Sequence, residues 1–548
     1  MDELVRDALV GTARQPEARA STAAPLDALI TGLGEETAER RLLLAAGAWA
    51  VYRQAGRAAS QAPQPPAPAP AESVPVCSPG AAHLIAAMLT GIQPELLSEA
   101  LARLARAGGR LPPHLLPAAL SIRANTRPAV LPVLGERGRW LAQLNPAWHW
   151  ARQVPLDAEG LPENAEAIWQ EGTPAQRLEV LGRLRHHDPA QARSWQEAVW
   201  RNEKADYRAQ LIQTLETGLS PADEPFLEAA LDDRGGAVRT AAVALLARLP
   251  GSALAARMTA RADALLTDTS PPASGPTRGG PSPAGALRVT PPTTIDKEWQ
   301  RDGVDATSPP AVRMGERAWW LMHTLALVPP SHWVQRFGAP AAGLITAART
   351  DEWWVPVLEG WSRAALLHQD KEWAALLWSC WNALQDEGLD SETVARISDD
   401  PWVTRDALLT MLPKSEAEQL VLGLLHRLDD RLDDQRLLMA LGLLRAPWSE
   451  QIGTIWLQGL RAYSRDATTI AQAIRAGWLV ILPPSRVALA LPSACFHDAL
   501  RPWSLPEALP DQADTPQWYL QRWPPEINRF VEIIAMRQRL GEEIGSLE

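Results

Sequence analysis

Lysine is nearly missing from this chain: only four of its 53 basic residues, Lys204, Lys297, Lys371 and Lys414, are lysine. They follow Glu203, Asp296, Asp370 and Pro413, so none stands in the Gly-Lys-Ser/Thr context that a phosphate-binding P-loop requires. Cysteine is as scarce. Cys77, Cys380 and Cys495 are odd in number and far apart, which excludes a disulfide framework or a Cys-based metal site and suits a reducing cytoplasm. No GxSxG elbow, HExxH helix, CxxC pair or dinucleotide-type GxGxxG occurs, and strand-like alternation is almost absent. Long apolar runs are missing too. The most apolar early stretch, Leu42 to Tyr52, closes on Arg53 and is too short to span a bilayer. Met1-Asp2-Glu3 opens no basic segment followed by an apolar one, so no secretory signal is expected.

Charge narrows the classes further. A net charge of −11 disfavours a general nucleic-acid or anionic-membrane binder. The only basic lean is in 81–140, where seven Arg face Glu95, Glu99 and Glu136. Tyr and Phe number four each against 24 Trp, which supplies buried area with a single polar handle and points to packing between helices. The Arg, Ala and Pro bias is what a GC-rich bacterial genome produces.

What is present is a repeat. RLEVLGRL from Arg177, RAQLIQTL from Arg208 and RTAAVALLARL from Arg239 recur at a step of 31 residues. Leu181, Ile212 and Val243 fall in register, as do Leu184, Leu215 and Leu246: one helical face written three times. The preceding segments keep the same step through Ile168, Val199 and Ala230, through Trp169, Trp200 and Leu231, and through Trp195 and Phe226. Two short helices per unit cannot bury an apolar face alone, so neighbouring units must stack. The third unit, PFLEAALDDRGGAVRTAAVALLARLP, resembles a HEAT-type repeat. That resemblance implies that the Arg-bearing helices line a concave inner side. Arg177, Arg208 and Arg239 then read either as a ligand-contacting stripe or as a ladder to turn carboxylates such as Asp232 or Asp206; the ladder is favoured, since stacked Arg needs local acceptors.

In chain order, residues 1–57 are expected to form two helices, Asp2 to about Arg14 and Glu35 to Arg53. A Pro/Ala-rich linker covers 58–80, too poor in apolar residues to build a core. Helical structure resumes over 81–267, with the three clear units at about 158–266. A Pro/Gly-rich loop or linker occupies 268–311, and a Trp-rich helical region follows over 312–548. Three late helices are expected to open with Pro-Trp, at Pro401, Pro447 and Pro502.

Two constellations invite a chemical reading. His186-His187-Asp188 offers donor atoms, but adjacent His point to different sides of a helix, and Asp188 before Pro189 reads as an N-cap. HRLDDRLDD, from His426, interleaves Arg with its acids and reads as a solvated charged turn rather than a cation site. No residue is nominated for catalysis, for a cofactor or for a metal.

The expected fold is all-α, a HEAT-like α-solenoid with irregular helical flanks and two Pro-rich disordered segments. The expected function is a non-catalytic protein-binding scaffold or adaptor in the cytoplasm. The whole layout is similar to an uncharacterised bacterial family of helical proteins encoded near MoxR-type AAA ATPases, von Willebrand A-domain proteins and SWIM zinc-finger proteins. This resemblance implies an AAA ATPase or von Willebrand A-domain protein as partner. The alternative, from another class, is a HEAT-like nucleic-acid enzyme of the alkylpurine DNA glycosylase kind, against which the neutral repeats (twelve basic and twelve acidic residues over 174–266) and the acidic balance count. A tetrapyrrole lyase or chaperone is a third, with no Cys in the repeats to support it.

Overall fold

The computed structural model describes residues 9–12, 26, 28, 31–32, 37–55, 66–152, 161–162, 164–268, 287–307, 314–386, 401–429, 431–507, 509–512 and 514–545. Among the described residues the chain is all-α apart from two short strands, and it divides into two compact units, Met1–Ala71 and Glu72–Glu548.

In the first unit one helix, α1 (Ala38–Ala55), buries Ala45 with Leu26 and packs Leu42, Ala48 and Trp49 around them. The expected earlier helix falls largely outside the described residues, as does most of the first half of the 58–80 linker.

The second unit opens in a way that composition alone conceals. From Glu72 the chain is pinned, because the Glu72 carboxylate accepts from the Glu136 and Arg137 amides at 2.9 and 3.0 Å, at the amino end of a helix where backbone donors lack partners. Arg110 N–H donates to Pro75 O (2.9 Å) and Cys77 N–H to Arg110 O (3.0 Å). Helices α2 (Pro79–Leu89), α3 (Leu97–Arg106) and α4 (Gly135–Leu144) follow, with shorter turns between them. Ser78 caps α2 by accepting from Ala81 N–H.

The repeated stretch folds as α5 (Ala165–Glu171), α6 (Pro174–His187), α7 (Pro189–Val199), α8 (Ala205–Thr214), α9 (Glu224–Ala230) and α10 (Gly236–Arg248). Thr173 opens α6 with a reciprocal capping box to Gln176, and Asp188 caps α7 through Gln191 N–H. Helix α8 packs on both α6 and α10. Leu181 and Ile212 are fully buried and Val243 is 5% exposed, so the shared register is the packed face. One feature of this layer has no counterpart in the repeat pattern. Arg185, fully buried, donates to Asp223 and to the carbonyls of Thr217, Pro189, Leu215 and Gly218.

Helix α11 (Ala253–Leu265) runs into β1 (Leu266–Asp268), which pairs antiparallel with β2 (Leu287–Val289) in the register Leu266 to Val289. Residues 269–286 and 308–311 of the expected loop lie outside the described residues. Its stretch 287–307 is docked: Leu287 and Val289 are buried, and Arg301 grips Asp232 and Glu228. Apolar Leu and Val at alternate positions supply the anchorage that Pro and Gly lack.

The Trp-rich region comprises α12 (Glu316–Ala326), α13 (Pro330–Phe337), α14 (Ala341–Ala348), α15 (Trp354–Leu367), α16 (Lys371–Asp386), α17 (Pro401–Met411), α18 (Lys414–Arg427), α19 (Gln435–Leu443), α20 (Glu450–Tyr463), α21 (Ala467–Ala476), α22 (Pro484–Ala490) and α23 (Trp523–Ile544). Most of its Trp side chains fill the core, as in Trp361 edge-on to Trp373 at 5.1 Å and Trp456 stacked on Trp478 at 5.5 Å, whereas Trp518 is exposed. Of the three expected Pro-Trp helix starts, only Pro401 opens a helix. Buried Trp448 donates its backbone N–H to Ala490 O outside any helix, and α20 starts at Glu450 after extended Ser449; Pro502-Trp503 lies in irregular chain.

The last helix, α23, packs on α22 and also on α2 and α3. Arg537 pairs with Glu99 at 2.8 Å, Arg103 donates to the same Glu99 (2.6 Å) and to Gly545 O, and Ser78 donates to Glu543. Among the described residues no single helix is long and apolar enough to cross a membrane.

Candidate functional site

A cavity of about 250 Å³ opens where α10 of the third unit meets α12 and α15, with residues 300–305 as one wall. Two glycines make it possible. Gly303, at φ +95°, approaches Val243 so closely that a Cβ would stand 2.8 Å from its Cγ1. Gly360 lets α15 lie against α12: a Cβ there would come within 2.8 Å of Leu325 Cβ and 2.9 Å of Met322 O.

Polar side chains enter from three helices. Arg239 on α10 donates from one terminal nitrogen to the carbonyls of Asp233 (2.8 Å) and Arg234 (3.3 Å). On α15, Arg363 donates its Nε–H to buried Glu359 at 3.1 Å. The remaining terminal nitrogens of both arginines have no hydrogen-bond acceptor among the described residues. His323 on α12 lies against Trp319, ring centres 4.2 Å apart, with Nδ1 3.4 Å from Gly303 O and Nε2 buried without a partner. Burial, then the Arg363 charge, push its pKa below the usual histidine value, so the ring is neutral at pH 7. Val243, Ala244, Ala326, Leu327 and Leu367 make the rest of the wall apolar, and Asp305 sits exposed among the lining residues. The site therefore combines unengaged guanidinium donors with an apolar floor, an arrangement suited to holding an anion.

The three repeat arginines fare differently from one another. Arg177 pairs with Glu203 at 2.8 Å between the rings of Trp169 (4.7 Å) and Tyr207 (5.2 Å). Arg208 forks onto Asp233 at 2.9 and 2.8 Å, above Trp200. These acceptors are Glu203 and Asp233 rather than Asp206 and Asp232, since Asp232 is held by Arg301. Arg239 alone of the three lines the cavity. Arg363, His323 and Gly303 escaped the sequence reading because they come from outside the repeated stretch and carry no periodic mark.

The other constellations are structural. Asp188 is the cap of α7, with His186 and His187 exposed at the end of α6. In the charged turn, Arg431 pairs with Asp433 and Arg436 with Asp434 and Asp386; Asp430 lies outside the described residues. Among the described residues no group of three or more His, Cys, Asp or Glu is placed to hold a metal ion.

No curated protein and no solved structure matches this chain. Residues 3–544 match the family of unknown function DUF5691, and the chain belongs to that family.

Proposed function

We propose that this protein is a HEAT-like helical-repeat scaffold of the bacterial cytoplasm that binds protein partners and catalyses no reaction. The observation that carries the reading is α1. Leu44 and Val51, seven residues apart, share one face of that helix and are flanked by Leu43 and Tyr52; all four are exposed, Leu43 by 72% and Val51 by 66%. Contiguous exposed apolar side chains on a helix are a partner-binding feature, read as one face laid into a groove. Support comes also from the row of stacked helices α6, α8 and α10, since helical-repeat arrays present extended surfaces. The partner class that the family layout suggests is a MoxR-type AAA ATPase or a von Willebrand A-domain protein.

The test is a titration of the full chain against purified proteins of both classes and against duplex DNA, each at two salt concentrations. Protein binding should survive the higher salt and weaken at least tenfold in Leu43→Asp/Val51→Asp, because apolar contacts dominate it. DNA affinity should be weak and fall steeply as counterions compete. Tight DNA binding with release of bases from alkylated DNA would replace the scaffold with the glycosylase reading.

A further inference from the structure

We propose that the cavity between α10, α12 and α15 is a binding site for a monoanionic carboxylate carrying a short apolar body. This inference stands on the cavity alone and holds whether or not α1 docks a partner.

Size comes first. At about 250 Å³ the cavity equals roughly eight waters at the ~30 Å³ each occupies in the liquid, which is the size of a four- to six-carbon acid. Charge decides the class. Arg239 and Arg363 present terminal N–H groups that no described acceptor takes. Half of that charge is already answered, because Arg363 Nε is bound to Glu359, itself 3% exposed. Asp305 adds a negative charge among the lining residues, and neutral His323 adds no positive one. Set against Glu359 and Asp305, the two arginines leave the lining with no net charge, so a second negative charge on the ligand is more costly than the first and a dianionic phosphate is disfavoured, whereas one carboxylate matches the planar fork of a guanidinium. Below the arginines the wall is Val243, Ala326, Leu327 and Leu367, which excludes a wholly polar ligand and favours an alkyl chain. The backbone of the site is prearranged. The contact of Gly303 with Val243 and that of Gly360 with Met322 fix the spacing of the three helices before any ligand arrives.

Such a carboxylate could be a free short-chain acid or the C-terminal carboxylate of a polypeptide with a small apolar last residue. Calorimetric titration of the full-length protein separates the two. The probes are pentanoate, its uncharged isostere pentanamide, and acetyl-Ala-Val with a free or an amidated terminus. Pentanoate should saturate a single site and pentanamide should bind at least tenfold more weakly. Arg363→Gln and Arg239→Gln should each weaken pentanoate roughly tenfold, the loss of one charge-assisted contact. Ala326→Trp, which fills the cavity without touching either arginine's anchoring bonds, should abolish binding while leaving the melting temperature within about two degrees of the parent. Tighter binding of the free-terminus peptide than of pentanoate assigns the site to a polypeptide end, and the reverse order assigns it to a free acid. The proposal is overturned by absence of saturable binding of both carboxylates up to about 10 mM, by equal binding of acid and amide, or by undiminished binding in a folded Ala326→Trp variant.

Discussion

Replacing Arg185 by Met removes the most heavily engaged side chain in the repeat layer, and the cost follows from what it leaves behind. Arg185 and Asp223 are both fully buried, with the guanidinium 3.1 Å from each carboxylate oxygen. Its other donors satisfy four backbone carbonyls, on Thr217, Pro189, Leu215 and Gly218, at 2.9 to 3.2 Å. Asp223 would keep Arg193 at 2.7 Å and the Ser220 amide at 3.0 Å, so its charge would be half-compensated rather than orphaned. Breaking a buried pair on one side costs about 3–5 kcal/mol, and each stranded carbonyl adds up to about 1 kcal/mol. With Arg193 offsetting part of this, Arg185→Met should cost about 4 kcal/mol. Asp223→Asn keeps the hydrogen-bonding shape and should cost about 2 kcal/mol. The pair replacement Arg185→Met/Asp223→Leu should cost less than Arg185→Met alone, because no buried charge remains. Burial, the largest influence on Asp223, raises its pKa, yet Arg185 and Arg193 together hold it below its ordinary value of 3.8. The ionised form is therefore stabilised in the fold: its contribution is present above pH 3.8, is lost as pH falls through the lower folded value, and should vanish in Asp223→Asn. Circular-dichroism melts and urea titrations at pH 7 and pH 3 read all three variants. An Arg185→Met protein melting within a degree of the parent, or an Asp223→Asn protein less stable than Arg185→Met, would refute the account.

Ile212→Asp, which places a carboxylate at a fully buried position of α8 in the core it shares with α10, should lower stability by about 4–5 kcal/mol; an unchanged melting temperature would mean that the shared register is not the packed face. Gly360→Ala should cost about 1–3 kcal/mol, since the new methyl meets the Met322 backbone rather than a movable side-chain end, and urea unfolding of the variant tests it. Burial holds the His368 pKa down to about 4. Because the unfolded side chain titrates near 6.5, the folded protein should lose stability as pH drops from about 6.5 to 4, by of order 2–3 kcal/mol, and His368→Gln should flatten that part of the urea-midpoint profile.

The register of Leu181, Ile212 and Val243 was legible because three copies of one face reinforce each other, and Thr173 and Asp188 were legible as caps because capping is local. Pairings across elements were not. Arg185 finds Asp223 across 38 residues, and Glu72 finds the start of α4 across 64, with no periodic pattern to announce either. In the described later part of each Pro-rich segment composition concealed an anchor: one glutamate in the first, and a leucine and a valine in the second, dock chain that otherwise lacks apolar area. Of the cavity only the α10 wall, with Arg239 and Val243, carried a mark in the sequence, since the other walls come from residues 300–305 and from Trp-dense helices whose pattern reports only burial.

The clasp of α23 on α2 and α3 bears on how the chain is made. Glu99 meets Arg537 across 438 residues and Ser78 meets Glu543 across 465, so the earliest part of the second unit waits for the last. At about 5–20 residues per second, a ribosome takes roughly 20–90 s to deliver Arg537 after Glu99. Throughout that interval the acid of Glu99 and the apolar faces of α2 and α3 lack their final cover, while the helical pairs from α5 onward already have neighbours to fold against. The nascent chain thus completes its middle before its beginning, and a ribosome that stops anywhere before α23 releases a product whose first helices are open to chaperones and proteases.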